Sequence, residues 1–199
     1  MYQLIGLIVL WGLWHTSQKY ISSYKLLNIG SGDGIYDVLL ENKITNTMNN
    51  FLMNNRFVAR CLFIISSALI DICMIYLFFY TIYYNNYIHI IRLICGLCLR
   101  QLCQFLVSLP IPKNQIWYHP GISSLFVTYG VTNDYFFSGH TYISIVCTIM
   151  FSSFDSYCMI LFGLLFSVLQ IGLVIITHSH YTMDIYAAVT TYGLICNFV

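Results

Sequence analysis

The chain has 199 residues, of which 59% are hydrophobic and only 8% are charged, and its mean hydropathy is +0.76. A soluble domain carries about a quarter charged residues, so this composition indicates an integral membrane protein. The formal net charge is +1 and the eight Lys and Arg residues are scattered along the chain. Nucleic-acid binding, which requires a basic surface, is therefore excluded.

The apolar segments predict an all-α, polytopic membrane helix bundle of about six spans, since a span needs about 20 mostly apolar residues. Leu4 to Trp14 is short, and is either a first span or a helix lying on the membrane surface. It lacks the features of a cleaved signal peptide. The other five predicted spans are Phe57 to Tyr80, Ile88 to Pro110, His140 to Phe154, Tyr157 to Thr177 and Tyr181 to Val199. The short one among them, starting at His140, can extend backwards into the preceding "YFFSG".

Two longer loops join these segments, and the whole chain, residues 1–199, is predicted to be one domain. Thr16 to Asn55 is a polar connection with an amphipathic turn around "GIYDVLLENK", and Ile111 to Gly139 is the second loop. Following the chain back and forth places both loops on one side of the membrane, here called side A. His140 and His180 also fall on side A, and the first loop can cover any site that they form.

Two charged residues lie deep inside predicted spans, where a charge is costly and functional by default. They are Asp71 and Arg100, and counting inward from side A gives them similar depths, which predicts that they pair. A structural ion pair between two helices is favoured for Asp71, whereas for Arg100 a structural and a functional role are equally expected. The eight cysteines, including the pair Cys95 and Cys98, all lie in apolar stretches and are interpreted as small hydrophobic residues.

The sequence "HSHYTMD" places His180 and Asp184 four residues apart, on one face of a helix. An Asp in that position can hold one imidazole nitrogen and leave the other basic, as a histidine nucleophile or base requires. His178 lies off that face. Two or three histidines with a carboxylate would also suit zinc. That alternative gives no reason for the second feature, a Ser-Gly-His at the start of another helix.

Ser138 and Gly139 come directly before an apolar run, and His140 opens it. A helix N-terminus offers free N–H groups and the positive end of the helix dipole, and small residues let an anion approach closely. Because His140 and His180 both open helices, two helix N-termini are expected to converge on one phosphate.

These motifs resemble those of the sphingomyelin synthase family, the lipid branch of the phosphatidic-acid phosphatase type 2 superfamily. In "NDYFFSGHTY", five residues match the family's first motif, whose Cys-Gly is replaced here by Thr132-Asn133. In "HYTMD", four residues match the second motif, and "LRQLCQFLVSLPIP" is similar to the family's third-span segment. The matching residues are Asp134, Ser138, Gly139, His140 and Thr141, then His180, Tyr181, Thr182 and Asp184. The resemblance covers residues 92–199.

The resemblance implies transfer of a phospholipid headgroup, such as phosphocholine, to ceramide or diacylglycerol. His180, oriented by Asp184, would form a phosphohistidine, and His140 would move the proton. Ser138, Gly139, Arg100, Asp134, Tyr181 and His178 would bind phosphate or substrate. No metal, nucleotide or other cofactor is required, and the partners expected are a membrane phospholipid donor and a lipid alcohol acceptor.

One departure concerns the arginine that soluble members of the superfamily place six residues before the second histidine, because that position is Val174 here. Lipid phosphate phosphatase or phospholipase C-like hydrolysis is one alternative. A non-catalytic scaffold and a channel lined by Asp71 and Arg100 are others. The expected location is an endomembrane or the plasma membrane. The positive-inside rule places side A in the cytosol on five basic residues, whereas the resemblance places it in the lumen or outside, which we favour. Those residues are Lys19, Lys25, Lys43, Arg56 and Lys113.

Overall fold

The computed structural model describes residues 2–23, 35–107, 109–129 and 135–199, and these residues form seven α-helices and no strand. Three of the helices, α3, α4 and α6, are long and apolar enough to cross a membrane. The protein is therefore all-helical and suited to a membrane. The helices are α1 (Tyr2–Ser23), α2 (Lys43–Asn54), α3 (Arg56–Tyr84), α4 (Ile88–Leu106), α5 (Gly139–Ser152), α6 (Tyr157–Ile176) and α7 (Thr182–Phe198).

The N-terminal region differs from the sequence prediction at both of its helices. Helix α1 runs through Trp14 to Ser23, so much of the predicted first loop is helical. The amphipathic segment of that loop is also displaced, because Asn42 caps a helix that begins at Lys43, after the predicted turn. The Asn42 side chain accepts a hydrogen bond from the Ile44 N–H, which fixes the start of α2.

Helix α5 is short because it begins well inside the bundle. Ser138 caps it, so the helix does not extend backwards into Tyr135–Phe137 as predicted. The α5 start lies beside Arg100, six residues before the end of α4. Those six residues correspond to about 9 Å of helix. The N-terminus of α5 is thus recessed relative to the end of its neighbour.

Helices α4 and α5 meet at a contact that requires glycine. A Cβ at Gly96 would lie 2.0 Å from Cζ of the Tyr142 ring, far inside contact distance. The Tyr142 side chain is fully buried, and its hydroxyl donates a hydrogen bond of 2.7 Å to the Arg92 carbonyl. The ring therefore fills the space that the missing side chain leaves, and it fixes how closely the two helices pack.

The loop between α4 and α5 passes along α3 as far as the middle of that helix. Tyr118 donates a hydrogen bond to the carbonyl of Arg56 at the start of α3. Ser124 and the N–H groups of Leu125 and Phe126 all donate to the carboxylate of Asp71, at 2.7–3.0 Å. Asp71 lies fifteen residues after Arg56, or about 22 Å along the helix.

This arrangement corrects the predicted pairing of Asp71 with Arg100, since loop groups occupy both Asp71 carboxylate oxygens. The Leu125 carbonyl in turn meets Trp11 Nε1 at 3.0 Å and His15 Nε2 at 2.7 Å, both on α1. In a helix that crosses a bilayer, such depth lies in hydrocarbon, where backbone polar groups need protein partners. Asp71 supplies those partners, which accounts for a charged residue in an apolar helix.

The two predicted loops lie at the same end of the bundle, as side A requires. Asn49 of α2 is fully buried and donates to the carbonyls of Asn114 and Ile176, at 3.2 and 2.8 Å. The Ile116 N–H donates to the Thr177 carbonyl at 2.8 Å. The end of α6, the Ile111–Gly139 loop and α2 are thereby joined directly below the candidate site.

Candidate active site

The first half of the site is the N-terminus of α5. The Ser138 hydroxyl accepts hydrogen bonds from the Thr141 N–H and hydroxyl, at 3.4 and 3.0 Å. Ser138 and Gly139 are buried and His140 is half-buried. The N–H groups of Gly139 and His140 belong to the first turn, which a helix cannot satisfy from within itself. This end of α5 therefore presents backbone donors beside the His140 imidazole.

The second half is the pair predicted from "HSHYTMD". His180 Nδ1 lies 3.0 Å from Oδ2 of Asp184, and both side chains are buried. The same carboxylate oxygen accepts the Tyr181 N–H at 3.1 Å, so Asp184 is held rigidly at the start of α7. Because a carboxylate only accepts, we assign the imidazole proton to Nδ1. His180 Nε2 is then the nitrogen with a free lone pair.

One backbone hydrogen bond joins the two halves. The Ser138 N–H donates to the Asp184 carbonyl at 3.1 Å, which ties the start of α5 to the start of α7. His140 consequently lies within electrostatic range of both His180 and Arg100. The two motif histidines, predicted to share one face of the membrane, thus occupy one site.

Arg100 reaches the same place from α4. Its guanidinium carbon lies 5.5 Å from the centre of the Trp14 ring. Its Nε would be 3.0 Å from a Cβ at Gly139, so the guanidinium lies directly against the Gly139 backbone. Arg100 is buried, with 4% of its surface exposed. Val174, the position where soluble relatives in the superfamily carry arginine, is buried in packing, and Arg100 is the cation that adjoins this site instead.

Three other predicted binding residues have different surroundings. His178 follows α6 in a left-handed conformation, with φ +51°, and its Nδ1 lies 2.8 Å from the Lys113 carbonyl. The Tyr181 hydroxyl donates to the Pro110 carbonyl at 3.0 Å. Both side chains therefore hold the Leu-Pro-Ile-Pro loop in place, and a contact with substrate remains a prediction for them. Asp134 lies outside the described residues, as do Lys25, Thr132 and Asn133.

Two aromatic residues that the sequence did not single out cover the site. The Trp117 ring meets the His140 ring edge to face, with centroids 5.4 Å apart. Tyr135 approaches His180 in the same way at 6.3 Å. Trp117 lies in an irregular loop with no periodicity, so only the fold brings it to the histidine. These rings reduce the access of water to both imidazoles.

The N-terminus of α7 already holds carboxylates. Asp37, from the segment between α1 and α2, accepts the Thr182 N–H at 2.7 Å and the Thr182 hydroxyl at 2.6 Å. Asp184 accepts the next N–H towards the N-terminus, that of Tyr181. The prediction that both helix ends converge on one phosphate is therefore wrong for α7. The prediction that the first loop covers the site is confirmed, by Asp37.

We expect Asp37→Ala to lower the free energy of unfolding by about 1 kcal/mol at pH 7, as the loss of a helix cap does. Burial alone would raise the pKa of Asp37, but hydrogen bonds from Thr182 outweigh it and hold that pKa below its ordinary 3.8. The Asp37 contribution is therefore complete above pH 3.8 and is lost as the pH falls through the lower, folded-state pKa. Thermal unfolding in detergent, across pH 2.5 to 7, measures this difference.

Glu41 provides the matched control, because it is an exposed acidic residue in the same segment. Glu41→Ala should leave the unfolding temperature unchanged at every pH. Equal effects of Asp37→Ala and Glu41→Ala, or a difference that persists at the lowest pH, would contradict the capping role.

Comparisons of the chain with models of known families, with curated proteins and with solved structures find no match. Within the part of the chain that the structure describes, no group of three or more His, Cys, Asp or Glu side chains is arranged to hold a metal ion. The protein is thus an all-helical protein with three helices suited to crossing a membrane, and its function is inferred from the site.

Proposed function

We propose that this protein is an integral-membrane lipid phosphotransferase that moves a phospholipid headgroup to a lipid alcohol through a phosphohistidine. The observation that carries the proposal is the joining of the two motifs at one site. The Ser138 N–H bonds to the Asp184 carbonyl, and His140, His180 and Arg100 lie within electrostatic range of one another. About six spans and the phosphatidic-acid phosphatase type 2 fold belong to the same proposal.

In the first step, His180 Nε2 attacks the phosphorus of a phospholipid such as phosphatidylcholine. A bond forms from nitrogen to phosphorus, and the bond from phosphorus to the diacylglycerol oxygen breaks. Asp184 accepts from Nδ1 and stabilises the positive charge that develops on the ring. Protonated His140 donates its proton to the departing diacylglycerol oxygen, since an alkoxide is a poor leaving group near neutral pH.

In the second step, neutral His140 takes the proton of an acceptor hydroxyl, from ceramide or diacylglycerol. The acceptor oxygen attacks phosphorus and the bond to His180 breaks, which returns both histidines to their starting states. The α5 N–H groups and Arg100 are placed to stabilise the charge on the phosphate oxygens in both steps. The aromatic cover from Trp117 and Tyr135 favours a lipid acceptor over water.

The test is product analysis with purified protein in mixed micelles that contain phosphatidylcholine labelled in the headgroup, together with ceramide. We expect label in a new phospholipid, and no label transfer by His180→Ala. Label released as free phosphocholine would replace transfer by hydrolysis. If neither product forms and His180→Ala behaves like the unchanged protein, the enzyme proposal is overturned in favour of a non-catalytic membrane protein.

A further inference from the structure

A cavity of about 370 Å³ lies between α1, α3, α4 and α5. That volume falls within the roughly 300–1,000 Å³ of ordinary small-molecule sites. Its wall is almost entirely apolar, and the exceptions are mainly Ser17 and Gln101, which are hydrogen-bonded to each other. The apolar wall includes Leu10, Trp14, Phe78, Leu93, Leu97 and Ile143.

The cavity adjoins the candidate active site through two shared elements. Trp14 lines the cavity and also stacks on Arg100, whose guanidinium lies against Gly139. Ile143 lines the cavity one helical turn after Gly139, on α5. A molecule with its polar end at the start of α5 would therefore have its apolar part beside this wall.

The α1 side of the cavity is accessible from outside the bundle. Leu10 and Leu13 line the cavity, yet 43% and 61% of their surfaces are exposed. Helix α1 is held by polar contacts at Trp11, His15 and Ser17, so its apolar side chains border an unfilled space. An apolar cavity does not hold water well and takes apolar guests. In a membrane, hydrocarbon chains are the guests at hand.

We infer that this cavity receives one hydrocarbon chain of a membrane phospholipid whose phosphate lies at Ser138–His140. The inference deepens the proposed function and rests on it for the position of the phosphate. The second chain of the lipid remains in the bilayer, outside α1. The cavity thus selects a lipid with an unbranched chain, and it positions the phosphorus by holding that chain.

The experiment uses phosphatidylcholine with a diazirine at the end of one acyl chain, in nanodiscs that contain the full-length His180→Ala variant. This variant keeps the cavity and cannot consume the lipid. After photolysis, mass spectrometry locates the labelled residues. We expect labelling of Phe78, Leu93 and Leu97 above that of Leu99 and Leu102, which are exposed on α4.

Leu97→Trp, which fills the cavity, should abolish labelling of Phe78. The matched control is Leu99→Trp, two residues further along α4, where 40% of the side chain is exposed; this variant should label as before. Labelling that is spread evenly over the exposed residues overturns the inference, and this comparison needs no cavity variant to fold. Persistence of Phe78 labelling in a folded Leu97→Trp protein overturns it too.

The two proposals fail separately. Cavity labelling by a protein that turns over no lipid refutes the transfer reaction and leaves the chain-binding site intact. Lipid turnover by the unsubstituted protein, together with an unlabelled cavity, refutes the chain-binding site and leaves the reaction intact.

Discussion

A His140→Ala variant is expected to lose roughly 10²- to 10⁴-fold in headgroup transfer from phosphatidylcholine, yet to retain the first step with a p-nitrophenyl phosphocholine donor. Nitrophenolate leaves without protonation, so the general acid is dispensable for that donor. The second step still needs His140 as base. The variant should therefore release about one nitrophenolate per protein in a burst, and the headgroup should remain attached to His180.

His180→Ala should show neither burst nor turnover with either donor, because the nucleophile is absent. His119→Ala is the control, since His119 is exposed in the loop before α5, and it should behave like the unchanged protein with both donors. Rapid-mixing absorbance measures the burst, and intact-protein mass measures the adduct. Equal losses for the two donors in His140→Ala would rule out the assigned proton transfer.

The largest expected effect on folding belongs to Gly96→Ala. The added methyl would overlap the buried Tyr142 ring at 2.0 Å, so α4 and α5 must separate or the ring must leave its place. Overpacking of this kind costs about 1–3 kcal/mol, and here the ring also loses its hydrogen bond to the Arg92 carbonyl. We expect a lower unfolding temperature in detergent and a lower yield of monodisperse protein.

Gly193→Ala is the matched control on α7, where a Cβ meets nothing within 4 Å. There the substitution should leave stability unchanged or raise it by up to about 1 kcal/mol, because alanine favours helix. A Tyr142→Phe variant isolates the hydrogen bond from the packing. Similar stability of Gly96→Ala and Gly193→Ala would show that α4 and α5 do not pack as described.

Local chemistry in the sequence was sufficient to predict the catalytic pair and the helices around it. The spacing of His180 and Asp184 fixes their geometry, since residues four apart on a helix are neighbours. The apolar runs predict α3, α4, α6 and α7 within a few residues, because helix length and hydrophobicity dominate there. The start of α5 is less predictable from hydrophobicity, since the capping Ser138 stops a run that continues upstream as Tyr-Phe-Phe.

Contacts between distant segments could not be predicted. Asp37 and Asn49 lie in a polar stretch without a motif, and only the fold brings them to α7 and to the end of α6. The predicted partner of Asp71 was chosen by depth alone, whereas its carboxylate satisfies backbone groups of an irregular loop. Such backbone donors leave no signature in the side-chain sequence.

The hydrogen bonds from residues 124–126 to Asp71 have a consequence for biogenesis. Asp71 emerges from the ribosome more than fifty residues before its donors, so α3 must enter the bilayer with its carboxylate uncompensated by them. A carboxylate at the centre of an inserting helix costs about 2.5–3.5 kcal/mol, which the apolar remainder of α3 must outweigh. Lateral release of α3 into lipid is then stabilised only once the loop has been synthesised, and integration of the first half becomes coupled to translation of the second.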